Sequence, residues 1–211
     1  LQLIELETDN EKQKNHILIL FVITLSVALF LFSIIIYRGQ KSKIELQKLA
    51  MIDSLTGAWN RRAITLKAAQ ELAMAQREGH NLTILLADLD DFKSVNDIYG
   101  HDVGDLVLKT FANIASDNMR ANDQFGRWGG EEWLFILPAT SMEEAKNLFN
   151  RLSDKLSKVK LGDLSNITFS MGAVELSSER NIDLNSLIKE ADKQLYVAKE
   201  TGKTRVCFAS R

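Results

Sequence analysis

The chain has 211 residues, 45% hydrophobic and 26% charged, with a formal net charge of −2. A disordered chain would be poorer in apolar residues and more strongly charged, and a nucleic-acid binder would carry a basic excess, so both classes are excluded. The single cysteine, Cys207, cannot close an intrachain disulfide, and no Cys/His cluster offers a zinc site.

The chain starts at Leu1 rather than Met, and residues 1–16 are expected to be the extracytoplasmic tail of a truncated N-terminal region. Residues 17–37, ILILFVITLSVALFLFSIIIY, carry no charge. At a rise of ~1.5 Å per residue they are long enough to cross a hydrocarbon core of ~30 Å. A signal peptide has a shorter apolar core and a small-residue cleavage site, which fits less well. Lys12 and Lys14 precede the span, whereas Arg38, Lys41, Lys43 and Lys48 follow it. The excess of positive charge after the span predicts a single pass with the C-terminal part in the cytoplasm.

Residues 38–52 form an expected juxtamembrane connector helix, with Ile44, Leu49 and Ile52 hinting at an apolar stripe too short to establish a coiled coil. From 53 to 211 the chain reads as one domain. The spacing predicts a helix over 64–77, broken at Gly79, then a strand over 82–87. Short helices are expected over 91–99 and 105–115. Gly129 and Gly130 then read as the two positive-φ positions of a tight hairpin. Ser141 to Glu144 is a capping-box signature, and Ala145, Leu148, Phe149, Leu152 and Leu156 follow at helical spacing. Ile167, Phe169, Met171 and Ala173 alternate as a strand, and a last helix over 183–199 is stopped by Gly202. Strands split by helices around a hairpin predict an α+β (α/β-like) fold, with helices covering a mixed sheet.

The chemistry concentrates at two places. Asp88, Asp90 and Asp91 lie where the first apolar run ends, and Glu131 and Glu132 follow the paired glycines. If those strands are neighbours, hard oxygen ligands from both could hold Mg²⁺. One of Asp90 and Asp91 is expected only to cap the following helix.

Arg127-Trp128-Gly129-Gly130-Glu131-Glu132-Trp133 resembles the signature of the GGDEF family of diguanylate cyclases, in its Gly-Gly-Glu-Glu form. Asp53-Ser54-Leu55-Thr56-Gly57 with Asn60-Arg61-Arg62 is similar to the family's entry motif. Asp88-Leu89-Asp90, Phe92-Lys93, Asn96-Asp97, Gly100-His101 and Gly104-Asp105 resemble its long second motif, and Ala191-Asp192, Leu195-Tyr196, Ala198-Lys199 and Gly202-Lys203 its closing helix.

The resemblance implies a central five-stranded mixed sheet like that of nucleotidyl cyclases and polymerase palms. It also implies a bacterial inner-membrane enzyme that condenses two GTP into cyclic di-GMP and two pyrophosphates, active as a homodimer because one domain presents one GTP. Asp88, the Leu89 carbonyl and Glu131 would hold Mg²⁺ (or Mn²⁺), with Glu131 also the base for the 3′-hydroxyl. Asn96 and Asp105, with His101 nearby, would meet the guanine edge. Phe92 and Lys93 would meet the phosphates through backbone groups, and Lys199 and Lys203 through ammonium groups. Gly129 and Gly130 would let the chain approach the nucleotide closely. Arg120 and Asp123, with Arg151, resemble the family's RxxD site, at which cyclic di-GMP acts as inhibitor.

Simpler explanations stand beside these. Lys199 and Lys203 suit a helix C-terminus, His101 suits a loop, and Arg120 with Asp123 suits an ordinary turn. Trp133 replaces the usual Phe, Ala58 a common Leu, and Lys203 a common Arg, which keeps charge but loses the bidentate fork. Gly202-Lys203-Thr204 mimics a P-loop ending, but the required earlier glycine is Val197. The alternative function is a catalytically silent module that binds GTP or cyclic di-GMP.

Overall fold

The computed structural model describes residues 14–15, 18–38, 51–176 and 182–209. It divides into two units, residues 1–50 and 51–211. Within the first, Leu18–Arg38 is a helix of 21 residues with mean hydropathy 3.0, long and apolar enough to cross a membrane. The expected tail lies almost wholly, and the connector helix apart from its end residues, outside the described residues.

The second unit begins with α1 (Arg61–Glu78), which Asn60 caps by accepting the Ala63 amide at 3.0 Å. Strand β1 (Leu82–Leu89) leads to α2 (Phe92–Tyr99) and α3 (His101–Asn118). The hairpin strands β2 (Gln124–Arg127) and β3 (Glu132–Pro138) follow, then α4 (Met142–Ser157). A small hairpin, β4 (Lys160–Leu161) and β5 (Leu164–Ser165), precedes β6 (Phe169–Leu176), α5 (Leu184–Glu200) and β7 (Val206–Phe208).

The main sheet has the order β2-β3-β1-β6-β7, as the expected mixed five-stranded sheet requires. β1 is central and antiparallel to both neighbours, while β6 and β7 run parallel. Every residue of β1 is buried, which explains why it reads as one apolar run rather than an alternating pattern. Its side chains nonetheless sort by parity. Leu85, Ala87 and Leu89 join Phe111 of α3, Leu152 of α4 and Trp133 of β3 in one core. Leu82, Ile84 and Leu86 join Ile64 and Leu72 of α1, Leu187 and Leu195 of α5, and Leu134 of β3 in the other.

This parity positions the chemistry. Continuing the even series beyond Leu86 gives Asp88, and extending the Leu134–Ile136 series backwards gives Glu132. The register pairs Asp88 directly with Glu132, so the two acidic clusters are brought together at one end of adjacent strands. The capping box of α4 is present in both directions, with Ser141 Oγ accepting from the Glu144 amide and Glu144 Oε2 accepting from the Ser141 amide at 3.0 Å.

Candidate active site

The hairpin differs from the expected two-glycine turn. Neither Gly129 nor Gly130 is among the glycines with positive φ. The connection is instead the four residues 128–131, closed by the Trp128 and Gly129 amides, which both donate to the Glu132 carbonyl, at 2.7 and 3.3 Å. Gly129 lies against Glu132, so that an added Cβ would crowd its carboxylate, while the space beside Gly130 is open. Gly129 therefore makes room for the Glu132 carboxylate, and neither glycine supplies a left-handed turn position.

An arginine holds that tip. Arg127 Nε and Nη2 both donate to the Gly130 carbonyl, at 3.0 and 2.8 Å. Its Nη1 reaches the Asp53 carboxylate at 3.3 Å, in an ion pair with both side chains about one-fifth exposed. Thr56 donates to the same carboxylate through its amide at 3.0 Å and its hydroxyl at 2.6 Å. Burial pushes the Asp53 carboxyl up, but Thr56 and Arg127 outweigh it and hold the group below the ordinary value. The entry motif and the signature hairpin are thus one hydrogen-bonded unit, a link that sequence spacing did not expose.

The acidic end of β1 sits beside that tip. The Leu89 amide donates to the Glu131 carbonyl at 3.4 Å, bringing the backbone of the tip against β1. Burial raises the Asp88 carboxyl pKa above its ordinary value; Lys199 opposes the shift, and the charges of Glu131 and Glu132 add to it. Lys199 Nζ, from the last turn of α5, stands 2.6 Å from Asp88 Oδ1. That ion pair is the close contact of Asp88 Oδ1, a buried oxygen with no further hydrogen-bond partner among the described residues. A buried carboxylate whose close partner is one lysine ammonium, beside two further carboxylates and a backbone carbonyl, fits a hard divalent cation taking that ammonium's place. No group of three or more His, Cys, Asp or Glu side chains forms a metal cage among the described residues, so the backbone carbonyl and bound phosphate would have to complete any coordination.

Asp90 and Asp91 take different roles. Asp91 occupies the N-cap position of α2 at φ 54 without a capping hydrogen bond from its side chain, so the expected side-chain cap is absent. Its carboxylate instead accepts from Lys203 Nζ at 2.6 Å, and that bond holds the Lys203 ammonium pKa above its ordinary value. Asp90 is buried and takes hydrogen bonds from Thr168, Ser170 and Thr204.

The remaining residues fall into two groups. Phe92 opens α2 and is buried, whereas Lys93 is exposed. Asn96 is half-buried on α2, with its amide packed where a Cβ on Gly104 of α3 would lie, so only glycine leaves room for it there. Asp105 follows Gly104 and is exposed, as is His101, which begins α3 four residues earlier than the expected helix start. Arg120, Asp123 and Arg151 gather at the other end of β2 from the hairpin. Asp123 Oδ2 accepts the Arg120 amide at 2.8 Å, Arg120 pairs with Glu144 at 3.2 Å, and Arg151 donates to the Asn118 carbonyl at 3.3 Å. Burial raises the Asp123 carboxyl pKa, against the pull of Arg120 and Arg151. Two cavities of about 470 and 390 Å³ are lined by residues other than the acidic cluster.

A family model described as "Diguanylate cyclase, GGDEF domain" matches residues 50–205. Diguanylate cyclase DgcP of Pseudomonas aeruginosa is 37% identical over 160 residues, 74% of this chain and 24% of that protein. The chain thus spans about a quarter of that curated relative's length. The crystal structure of the GGDEF domain of DgcB from Caulobacter crescentus in complex with c-di-GMP is similar at TM-score 0.72 and 28% identity, covering 75% of this chain and 95% of that one. The active GGEEF domain of a diguanylate cyclase from Vibrio cholerae matches at TM-score 0.68 and 29% identity, over 72% of this chain and 97% of that one.

Proposed function

The chain belongs to the GGDEF family of diguanylate cyclases, and from that premise we propose that it condenses two GTP into cyclic di-GMP and two pyrophosphates. The observation that carries the reading is the pairing of Asp88 with Glu132 across adjacent strands, with Glu131 at the tip and Lys199 at 2.6 Å from Asp88. The active Vibrio cholerae domain carries the same Gly-Gly-Glu-Glu form of the signature.

Asp88, the Leu89 carbonyl and Glu131 are the groups that would hold a divalent cation, Mg²⁺ or Mn²⁺. Such a cation, when bound, supplies charge neutralisation to the phosphates and favours ionisation of the attacking hydroxyl. Glu131 accepts the 3′-hydroxyl proton as that oxygen bonds to the α-phosphorus of the other GTP and pyrophosphate leaves. Lys199 turns from Asp88 to the phosphates, and Lys203 adds a second ammonium group. Asn96 and Asp105 offer an acceptor and donor pattern that matches guanine and would leave buried polar groups unpaired with adenine. His101 stands nearby at the start of α3, and the backbone at Phe92 and Lys93 meets the phosphates.

Each domain offers one open half-site, so two must face each other and the active form is a homodimer. Leu18–Arg38 anchors the chain in the bacterial inner membrane by a single pass, with residues 53–211 in the cytoplasm. Arg120, Asp123 and Arg151 form the site at which product cyclic di-GMP inhibits, a reading supported by the bound c-di-GMP of the DgcB domain. In the test, purified chain is incubated with GTP and Mg²⁺ and the products are resolved by chromatography. Cyclic di-GMP is expected from the unmodified chain and none from Glu131→Gln; GTP binding without product at high protein concentration would contradict the reading.

A further inference from the structure

The acidic cluster contains one carboxylate that is already fully engaged. Asp90 is 9% exposed and accepts from Ser170 Oγ at 2.8 Å, Thr168 Oγ1 at 2.9 Å and the Thr204 amide at 3.2 Å. Ser170 is completely buried, so turning the carboxylate toward a cation would strand its hydroxyl. The spacing of Asp88 and Asp90 suits a pair of metal ligands, but the hydrogen bonds make Asp90 a clamp. Its two hydroxyl donors come from the segment leading into β6 and from β6 itself, and its third donor comes from the turn after α5.

That turn has a demanding backbone. Gly202, Lys203 and Thr204 lie at φ 117, 57 and 48, and consecutive non-glycine residues in the left-handed region persist only where their surroundings hold them. The Lys203 amide donates back to the Ala198 carbonyl at 2.9 Å, and Arg205 Nε donates to the Lys203 carbonyl at 3.0 Å. Those bonds are local to the turn. The Thr204–Asp90 bond instead ties it to the end of β1, the strand that carries Asp88.

We propose that Asp90 is a positioning residue for triphosphate binding, its carboxylate holding the 202–204 turn so that Lys203, beside Asp91, and Lys199, beside Asp88, are kept at a fixed place. The inference rests on the reading of Lys199 and Lys203 as phosphate-binding groups. Asp90 touches neither substrate nor reacting atoms; it acts through the turn. Its loss should therefore weaken recognition of phosphates and leave recognition of the base intact.

The test measures binding of 3′-deoxyguanosine and its mono-, di- and triphosphate to the full chain in detergent with Mg²⁺, since these lack the attacking hydroxyl. Unmodified chain should gain affinity with each phosphate. Asp90→Asn should flatten that gain, weakening the triphosphate by roughly tenfold and the nucleoside by less than about twofold. With GTP as substrate, KM should rise more than kcat falls, and amide hydrogen exchange at residues 203–205 should quicken while α2 and α3 stay protected. Ser170→Ala removes one donor without changing charge and should move the same readouts less; it decides the matter if Asp90→Asn does not fold. Equal losses for nucleoside and triphosphate, or an undiminished phosphate gain, would overturn the role of Asp90 alone. An unmodified chain whose affinity ignores phosphate number would overturn the functional reading and this inference with it.

Discussion

At the scale of single residues, Trp133 and Asp53 repay measurement. The Trp133 ring is fully buried, 5.1 Å from Phe111 and 6.2 Å from Phe125, yet its Nε1–H has no hydrogen-bond partner among the described residues. An unmet buried donor costs about 1–3 kcal/mol, and a truncated ring loses packing of similar size, so the two nearly cancel on replacement by phenylalanine. Trp133→Phe is expected to change stability by less than about 1.5 kcal/mol in urea unfolding, whereas Trp133→Ala should cost about 3–5 kcal/mol. The Asp53 pKa is lowered in the folded state, so its contribution is complete above the ordinary value of 3.8 and disappears as pH falls below it. The stability difference between the unmodified chain and Asp53→Asn should accordingly shrink as pH drops from 5 toward 3, and a difference that grows would contradict the assignment. The meeting of Asp88 with Glu131 and Glu132 was legible from the sequence, because both acidic clusters stand at the ends of apolar strand runs. Asp90 was not, since its neighbours Thr168, Ser170 and Thr204 are 78 to 114 positions away.

At the scale of elements, local signals were read well and long-range ties were missed. The Ser141–Glu144 box starts a helix by chemistry contained within four residues, and the structure reproduces it in full. Ser141→Ala should cost about 1 kcal/mol, readable as a shift in the urea midpoint with unchanged slope. Strand β7 and the β4–β5 hairpin escaped detection because two- and three-residue strands carry no periodicity; β7 exists only through its parallel pairing with β6. The signature hairpin was placed correctly but given the wrong turn, since glycine's freedom at φ was assumed where a narrow tip held by Arg127 was needed. Arg127→Ala frees the Gly130 carbonyl and Asp53 together. Turnover should fall by at least tenfold while global stability drops by no more than about 2 kcal/mol, because the lost bonds lie at the tip rather than in the core.

At the scale of the molecule, the proposed reaction joins two GTP, and the dimer proposed for it makes activity depend on concentration. One domain pairs Asp88 with Glu132 across β1 and β3 and sets Lys199 2.6 Å from Asp88. Specific activity is therefore expected to rise with chain concentration and to reach a plateau once dimers form, whereas a value independent of dilution would argue for a site complete in one chain. The most direct measurement is the product formed from GTP and Mg²⁺ by the full chain in detergent. The account predicts cyclic di-GMP and two equivalents of pyrophosphate, none from ATP, and loss of both products in Glu131→Gln with the fold retained. Undiminished cyclic di-GMP from Glu131→Gln, or bound GTP that is never converted, would contradict it.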